Sequence, residues 1–214
     1  MTPRVSIIIP CFNKAPYIGE AIGSALAQSH PNIEVIVVDD GSTDNSLAVI
    51  NTYTAQGIKL IQQKNQGVCI ARNNAIGQST GEYIVPLDAD DILSPNYVQR
   101  CVAQFEAKPE TKLVYTQCEY LGNRKGSVAI PAYRWELLLW YSIIPATSMY
   151  RRADYDITGG YNPNMNLALE DWDFYLSLLG PTDIVHLIEE PLFYYRITNT
   201  ARNNNINSNK EAIF

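Results

Sequence analysis

No apolar run among these 214 residues approaches the ~20 that span a bilayer. The longest candidates, Val5–Ile9 and Ile33–Val38, have strand length and give way at once to polar residues. The chain opens Met-Thr-Pro-Arg with no apolar stretch behind it, so the expectation is a chain without a secretory leader. Histidine is scarce, with two, and the four cysteines (Cys11, Cys69, Cys101 and Cys118) show no Cys-x-x-Cys spacing. A zinc centre needs clustered ligands and is disfavoured; the thiols read as reduced and mostly buried, in a cytosolic chain. Positive charge is in deficit, 16 Lys and Arg against 22 Asp and Glu for a net charge of −6, which argues against a nucleic-acid partner. Neither Gly-x-Gly-x-x-Gly nor Gly-x-x-x-x-Gly-Lys-Ser/Thr occurs, so a dinucleotide-binding Rossmann enzyme and a P-loop NTPase are disfavoured too. What is present, 46% hydrophobic and 18% charged residues, is the make-up of a globular protein long enough for one sizeable core.

Strand and helix signals alternate through the first half. Val5–Ile9 and Ile33–Val38 are β-branched runs, Ile58–Ile61 is a shorter one, and Tyr83–Leu87 is a fourth. Between them Ile18, Ile22, Ala25 and Leu26 recur at helical spacing, a second helix carries Leu47, Ile50 and Tyr53, and a third runs through Arg72. Ser94-Pro95 reads as an N-cap and first-turn proline for a helix striped by Val98, Cys101, Val102 and Phe105. Strands that are apolar throughout are buried on both faces, and their alternation with helices predicts an α/β fold with a mostly parallel, Rossmann-like sheet. The second half is less regular. A fifth strand is expected at Leu113–Thr116, a helix at Arg134–Tyr141, a helix with Trp172, Tyr175, Leu176 and Leu179 on its buried face, and closing strands at Ile184–Ile188 and Leu192–Arg196. No repeat or linker interrupts residues 1–198, which read as one domain with a donor-binding half to about 118 and an acceptor and catalytic half beyond; the asparagine-rich 199–214 reads as a mobile tail.

Three polar clusters fall at the carboxyl ends of successive strands, the edge where open α/β sheets bind ligands: Cys11-Phe-Asn13, Asp39–Asp44 and Asp88–Asp91. Asp88-Ala-Asp-Asp91 can gather carboxylates on a hard cation such as Mg²⁺ or Mn²⁺, whose remaining ligands would be substrate phosphates; alternatively the acids cap the next helix. Capping explains Ser42, Thr43 and Asp44 but not Asp39, which ends its strand and could accept from a base N–H or a ribose hydroxyl. Phe12 is either a wall for that base or a core side chain. Arg72, following Asn65-x-Gly67 near a helix N-terminus, is either a phosphate or base ligand or a solvated arginine.

Together these stretches resemble family two of the nucleotide-sugar glycosyltransferases: Val5-Ser-Ile-Ile-Ile-Pro-Cys-Phe-Asn13, Val37-Val-Asp-Asp-Gly-Ser-Thr-Asp44, Asn65-x-Gly67 with Ala71-Arg-Asn73, Leu87-Asp-Ala-Asp-Asp91 and Glu170-Asp-Trp-Asp173 occur in the family's order. The resemblance implies a GT-A fold, a donor site dependent on Mn²⁺ or Mg²⁺, and transfer with inversion. It implies that Pro10, Phe12, Asn13, Asp39, Asn65, Gly67 and Arg72 bind the donor nucleotide, that Asp88 and Ala89 lie along its ribose, that Asp90 ligates the metal and that Asp171 is the general base. On the expected helix Asp171 stands about 100° from Trp172, at the lip of the first turn. Glu170 would lie on the acceptor side, with Trp135, Trp140 and Tyr161 as sugar-stacking surfaces.

Two positions depart from the family's pattern: Ser177 stands where an arginine is common, and Thr198 where a histidine is common. The reading is an inverting transferase moving a sugar from a nucleoside-diphosphate sugar, UDP favoured, to a glycan or lipid-linked hydroxyl acceptor in cell-surface polysaccharide or glycan assembly. It would act in the cytoplasm, peripherally at the inner face of the membrane if the acceptor is lipid-linked. The rivals are a catalytically inactive nucleotide-sugar or glycan-binding module, and a nucleotidyltransferase, for which a Gly-rich phosphate loop after the first strand is missing.

Overall fold

A computed structural model describes residues 2–165 and 168–198; the expectation for the 199–214 tail lies outside them. The first half runs β1 (Val5–Cys11), α1 (Ile18–Leu26), β2 (Ile33–Asp39), α2 (Ser46–Asn51), β3 (Lys59–Gln62), α3 (Val68–Gly77), β4 (Tyr83–Pro86), β5 (Ile92–Leu93) and α4 (Tyr97–Ala107). The second runs β6 (Thr111–Gly122), β7 (Gly126–Val128), α5 (Trp135–Leu138), β8 (Met149–Arg151), α6 (Arg152–Thr158), α7 (Glu170–Leu178) and β9 (Ile184–Ile197). The strands form one sheet in the order β3-β2-β1-β4-β8-β6-β9-β5, with β7 beside the outer half of β6. β1, β2, β3 and β4 are parallel, β6 and β9 are parallel to each other, and β8 and β5 run against their neighbours.

Every residue of β1 is buried, and its side chains alternate between two cores because successive strand residues point to opposite faces. Val5, Ile7 and Ile9 join Ile22 and Ala25 of α1 and Val98, Cys101 and Phe105 of α4. Ile8 faces the other way, with Val38 of β2, Ala71 and Ala75 of α3, and Phe174 and Tyr175 of α7. Burying a side chain the size of isoleucine is worth roughly 1.5–3 kcal/mol, so a strand with no exposed position anchors both layers. All four cysteines are buried and none is in a disulfide, and burial pushes the Cys11 and Cys118 thiols up to about 11.

β2 and β3 lie on one side of β1 and β4 on the other, so the strand order reverses at β1. The crevice beyond the carboxyl ends of β1 and β4 is therefore the topological switch point, where ligands bind in open α/β sheets.

Several expectations shift. The two closing strands are one, β9, whose pairing with β6 slips between Ile188 and Pro191; proline donates no ladder hydrogen bond and marks the irregularity. The fifth strand reaches Gly122, so the boundary at 118 falls inside β6 and both halves share it. The helix at Arg134–Tyr141 keeps only Trp135–Leu138, and α2 stops at Asn51. Asn96, not Ser94, is the N-cap of α4; the Ser94 and Pro95 carbonyls are engaged by Tyr97 N–H and Ser29 N–H. The fully buried face of α7 carries Phe174, Tyr175 and Leu178, with Trp172 and Leu176 only partly buried. At positions 171, 174, 175 and 178 that face includes Asp171, which therefore points inward rather than standing off to one side.

Candidate functional site

Two clefts open along the carboxyl edge of the sheet and share Asp88 and Tyr195. The first, of about 510 Å³, lies at the switch point. Pro10, Phe12 and Asn13 from the end of β1, Asn65 and Gly67 ahead of α3, and Asp88, Ala89 and Asp90 after β4 all line it, as their motifs suggest. Phe12 is 44% exposed, a wall rather than a core residue.

The loops that carry these residues hold each other in place. Asn13, in the left-handed region at φ 52°, accepts from Thr43 N–H at 2.8 Å and Asp44 N–H at 3.3 Å, while its own N–H donates to Ser42 Oγ. Asp40 accepts from Gln63 Nε2, Gln66 N–H and Gly67 N–H, all within 2.9 Å, and so ties the end of β2 to the loop before α3. Gly41 has φ +74°, and a Cβ there would meet the Asn65 backbone nitrogen at 2.8 Å; only glycine lets the two loops approach.

Asp39 and Arg72 do not line this cleft. Asp39 is buried, and its carboxylate accepts from Ser42 N–H at 3.3 Å. Arg72, 1% exposed, lies beneath the floor and bridges Asp88 (Nη2–Oδ1 2.7 Å) and Glu170 (Nη1–Oε1 3.2 Å), with its guanidinium 5.1 Å from the centre of the Tyr161 ring. Burial opposes its charge, but Asp88, Tyr161 and Glu170 keep the guanidinium charged, well above the ordinary arginine range. Arg72 thus joins the aspartate loop after β4 to the start of α7.

Asp90 faces the first cleft with the Lys14 ammonium on its carboxylate. Arg196 of β9 holds the same turn from behind: its Nε donates to Asp90 O at 2.7 Å and its backbone N–H to Asp91 Oδ1 at 2.8 Å. Asp91 is buried, and burial, with Asp88 and Asp90 adding, lifts its carboxyl well above the usual carboxylate range. Among the described residues no group of three or more His, Cys, Asp or Glu gathers as a metal cage. The donor chemistry nevertheless fits a hard divalent cation, which takes one or two carboxylates and keeps phosphate oxygens as its other ligands. Asp90 and Asp88 are part-exposed oxygen donors on the cleft wall, and a cationic group already sits on Asp90.

The second cleft, of about 660 Å³, runs from Asp88 toward β7 and the 142–146 segment, with Glu170 and Asp171 on its floor. Leu169, immediately before them, has φ 65°, a strained conformation for leucine that sets the entry to α7. Glu170 is buried against Arg72, whereas Asp171 is partly open and accepts from Trp172 N–H at 2.9 Å. Burial first, then the charges of Glu170 and Asp88, push the Asp171 carboxyl up to about 6, with Arg72 and the Trp172 N–H pulling it down. A partly buried carboxylate poised near neutral pH is suited to accept a proton.

The expected stacking residues are not at this cleft. Tyr161 is 1% exposed, stacked on Phe174 at 4.4 Å between ring centres and lying under Arg72, so it offers no face to a sugar. Trp135 is partly buried against the core, and Trp140, 76% exposed, is absent from the described lining of both clefts. Tyr120 and Tyr195 are the tyrosines that line it. Motif reading gives no role to Lys14, Asp40, Tyr195 or Arg196, although Tyr195 and Arg196 open the family pattern that ends at Thr198. Lys14 directly follows Asn13 and Asp40 directly follows Asp39, so adjacency was the available signal; nothing local in β9 tells where its end comes to rest.

A family model described as "Glycosyl transferase family 2" matches residues 6–165. The chain is 35% identical over 191 residues to a chondroitin synthase of Escherichia coli, covering 84% of this chain and 27% of that protein. It is 34% identical over 192 residues to a hyaluronan synthase of Pasteurella multocida, covering 86% and 20%. The chain thus spans between a fifth and just over a quarter of the length of these relatives. Among solved structures, S. aureus TarS 1-349 in complex with UDP-GlcNAc superposes with a TM-score of 0.80 at 21% identity, covering 93% of this chain and 60% of that one. The mannosyltransferase PcManGT from Pyrobaculum calidifontis, in complex with GDP-Man and Mn²⁺, gives 0.71 at 20% identity, covering 95% and 60%. At these identities the likeness to the structures is one of fold.

Proposed function

The chain belongs to glycosyl transferase family 2 and has the GT-A fold, and from that premise we propose that it transfers a sugar, with inversion, from a UDP-sugar to a hydroxyl acceptor in polysaccharide or glycan assembly. The observation that carries this reading is the meeting of two clefts at Asp88, one lined by the sheet-edge loops and the other floored by Asp171. In this reading the nucleotide lies in the first cleft between Phe12 and the loop at Asn65–Gly67, with its diphosphate toward Asp90. Asp39 supports the base from behind Ser42, and Arg72 acts through Asp88 rather than on the nucleotide. Asp88 and Asp90 would hold Mn²⁺ or Mg²⁺, which when bound offsets the charge that builds on the departing diphosphate.

Asp171 takes the proton of the acceptor hydroxyl as its oxygen attacks the sugar carbon from the side opposite the diphosphate. A base with a pKa of about 6 is ionised at neutral pH yet remains basic enough to share the proton in the transition state. Arg72 fixes Glu170 and Asp88 on either side of the reacting centre, and the Trp172 N–H orients one Asp171 oxygen. Relatives whose names are chondroitin synthase and hyaluronan synthase support a polysaccharide product. A TarS complex with UDP-GlcNAc supports a UDP donor, and a PcManGT complex with Mn²⁺ supports a metal. No helix among the described residues is long and apolar enough to cross a membrane. We place the reaction in the cytoplasm, peripherally at the membrane when the acceptor is lipid-linked.

The test is a panel of UDP-, GDP- and dTDP-sugars offered with Mn²⁺ or with EDTA, read as release of nucleoside diphosphate in the presence of glycan acceptors. UDP release that needs Mn²⁺ and an acceptor is expected. Donor binding without release would leave a nucleotide-sugar-binding module instead.

A further inference from the structure

The second cleft carries a chemical signature of its own. Its walls are apolar, with Val128 and Ile130 on one side, Ile144 on another and Phe193 from β9, and Tyr120 and Tyr195 also line it. Its floor is acidic: Asp88, Asp91, Glu170 and Asp171. No lysine, arginine or histidine lines it among the described residues. Two cations stand close by without lining it. Arg72 lies beneath the floor, bound to Asp88 and Glu170, and Arg124 is stacked 4.2 Å from the centre of the Tyr120 ring. The carboxylates on the floor outnumber the Arg72 guanidinium beneath it and the Arg124 guanidinium at the Tyr120 rim together, so the cleft is lined by an excess of acids. A divalent ion shared with a diphosphate is balanced by it and leaves that excess unchanged.

Acids over apolar walls repel an anion and reward an uncharged ligand with an apolar face. We propose that this cleft selects an uncharged glycoside bearing an apolar aglycone, and excludes acceptors that carry a carboxylate or phosphate on the sugar seated there. The inference rests on the transferase reading for the word acceptor, but the selectivity is a property of the cleft and is measurable as binding. The acceptor hydroxyl would sit at Asp171, the sugar ring beside the Tyr195 side of the Tyr120–Tyr195 pair, whose own rings are 6.4 Å apart, and the aglycone along Val128, Ile130 and Ile144.

The experiment titrates the full chain, held with UDP and Mn²⁺, with p-nitrophenyl β-glycosides by calorimetry. The neutral set is the glucoside, galactoside and N-acetylglucosaminide; the anionic set is the glucuronide and galacturonide; the free sugars control for the aglycone. At least one neutral aryl glycoside is expected to bind about tenfold or more tightly than its free sugar and than either uronide. Ala129→Arg, which places a cation on an exposed part of the lining, is expected to narrow the gap between neutral and anionic ligands. Uronides binding as well as neutral glycosides, free sugars binding as well as aryl glycosides, or no aryl glycoside binding at all would each overturn the proposal. Neutral binding with the expected selectivity but no sugar transfer from any donor would uphold it and sink the transferase reading.

Discussion

Replacing Asp171 by asparagine separates what this side chain does for the reaction from what it costs the fold. Asparagine keeps the shape and can still accept from the Trp172 N–H at 2.9 Å, but it cannot take a proton. If Asp171 is the base, turnover falls by ~10²–10⁴, about 2.7–5.4 kcal/mol of transition-state stabilisation, while donor affinity stays within a few-fold. Stability should move the other way. The carboxyl is lifted from 3.8 to about 6 by burial and by Glu170, so ionising it is harder in the folded chain than in the unfolded one. A group raised in this sense favours the fold when protonated; that advantage is lost as pH climbs from the unfolded value through about 6, and above it a constant penalty remains. Two or so pH units at 1.36 kcal/mol each put that penalty at about 3 kcal/mol, an upper figure that Asp171→Asn would remove at pH 8 and not at pH 3. For a chain of this size the gain corresponds to a melting temperature higher by on the order of 5–10 °C. Melting curves at pH 8, alongside turnover and donor titration, read all three quantities. Near-normal transfer would move the base to Glu170 or Asp173, and a lower melting temperature at pH 8 would show that the buried charge is welcome and the electrostatic reasoning wrong.

Three further outcomes follow from the geometry. Asp90→Ala should leave the fold intact, since this carboxylate faces the cleft, and should abolish the Mn²⁺ dependence of UDP binding in calorimetry; an unchanged dependence refutes the assignment. Arg72→Met should cost about 3–5 kcal/mol in urea denaturation, because it strands Glu170 and Asp88 without their shared partner; a loss below about 1 kcal/mol would mean that the bridge contributes little. Asp40→Ala removes three hydrogen bonds that join β2 to the 63–67 loop and should weaken nucleotide binding and lower stability by about 1–3 kcal/mol, while Asp40→Asn restores part of both.

The lining of the first cleft was legible because its residues sit in short motifs at the ends of strands that are apolar throughout. Once β1, β2, β3 and β4 are placed in one parallel sheet, Phe12, Asn65 and Asp90, which follow β1, β3 and β4, can only gather at one edge. Arg72 shows where that reasoning stops: its motif says that it belongs at the site, but not that it lies beneath the floor, held there by Asp88 and Glu170. Asp171 is singled out by its motif and misplaced by helical phase, since Trp172 looks like the most buried residue of α7 and is not. A large ring reads as core in sequence, yet its indole N–H donates to the Leu138 carbonyl and holds it at the margin. Tyr161 failed in the opposite sense, an aromatic taken for a sugar platform that packs against Phe174 instead. The lengths of β6 and β9 were hidden because the slip near Pro191 breaks the local pattern that would announce one continuous strand.

The pairing of β6 with β9 has a consequence for how the molecule comes into being. Thr111 lies opposite Ile184 and Gly122 opposite Ile197, so the two strands are joined by a long stretch of intervening chain, and parallel pairing across such a gap is slow to form. On a ribosome the donor-side sheet emerges first and can assemble from its own neighbours, β1 with β2 and β4. Its aspartate turn waits for Arg196, which is among the last described residues to be synthesised and brings the Nε–H and N–H donors for Asp90 O and Asp91. Until β9 arrives, the 88–91 turn lacks these partners, the first cleft lacks Tyr195 and Arg196, and the second lacks Phe193 and Tyr195. A nascent chain therefore has the loops of the first cleft before it has either cleft whole, and the seating of β9, which contributes to both, is the event that completes them.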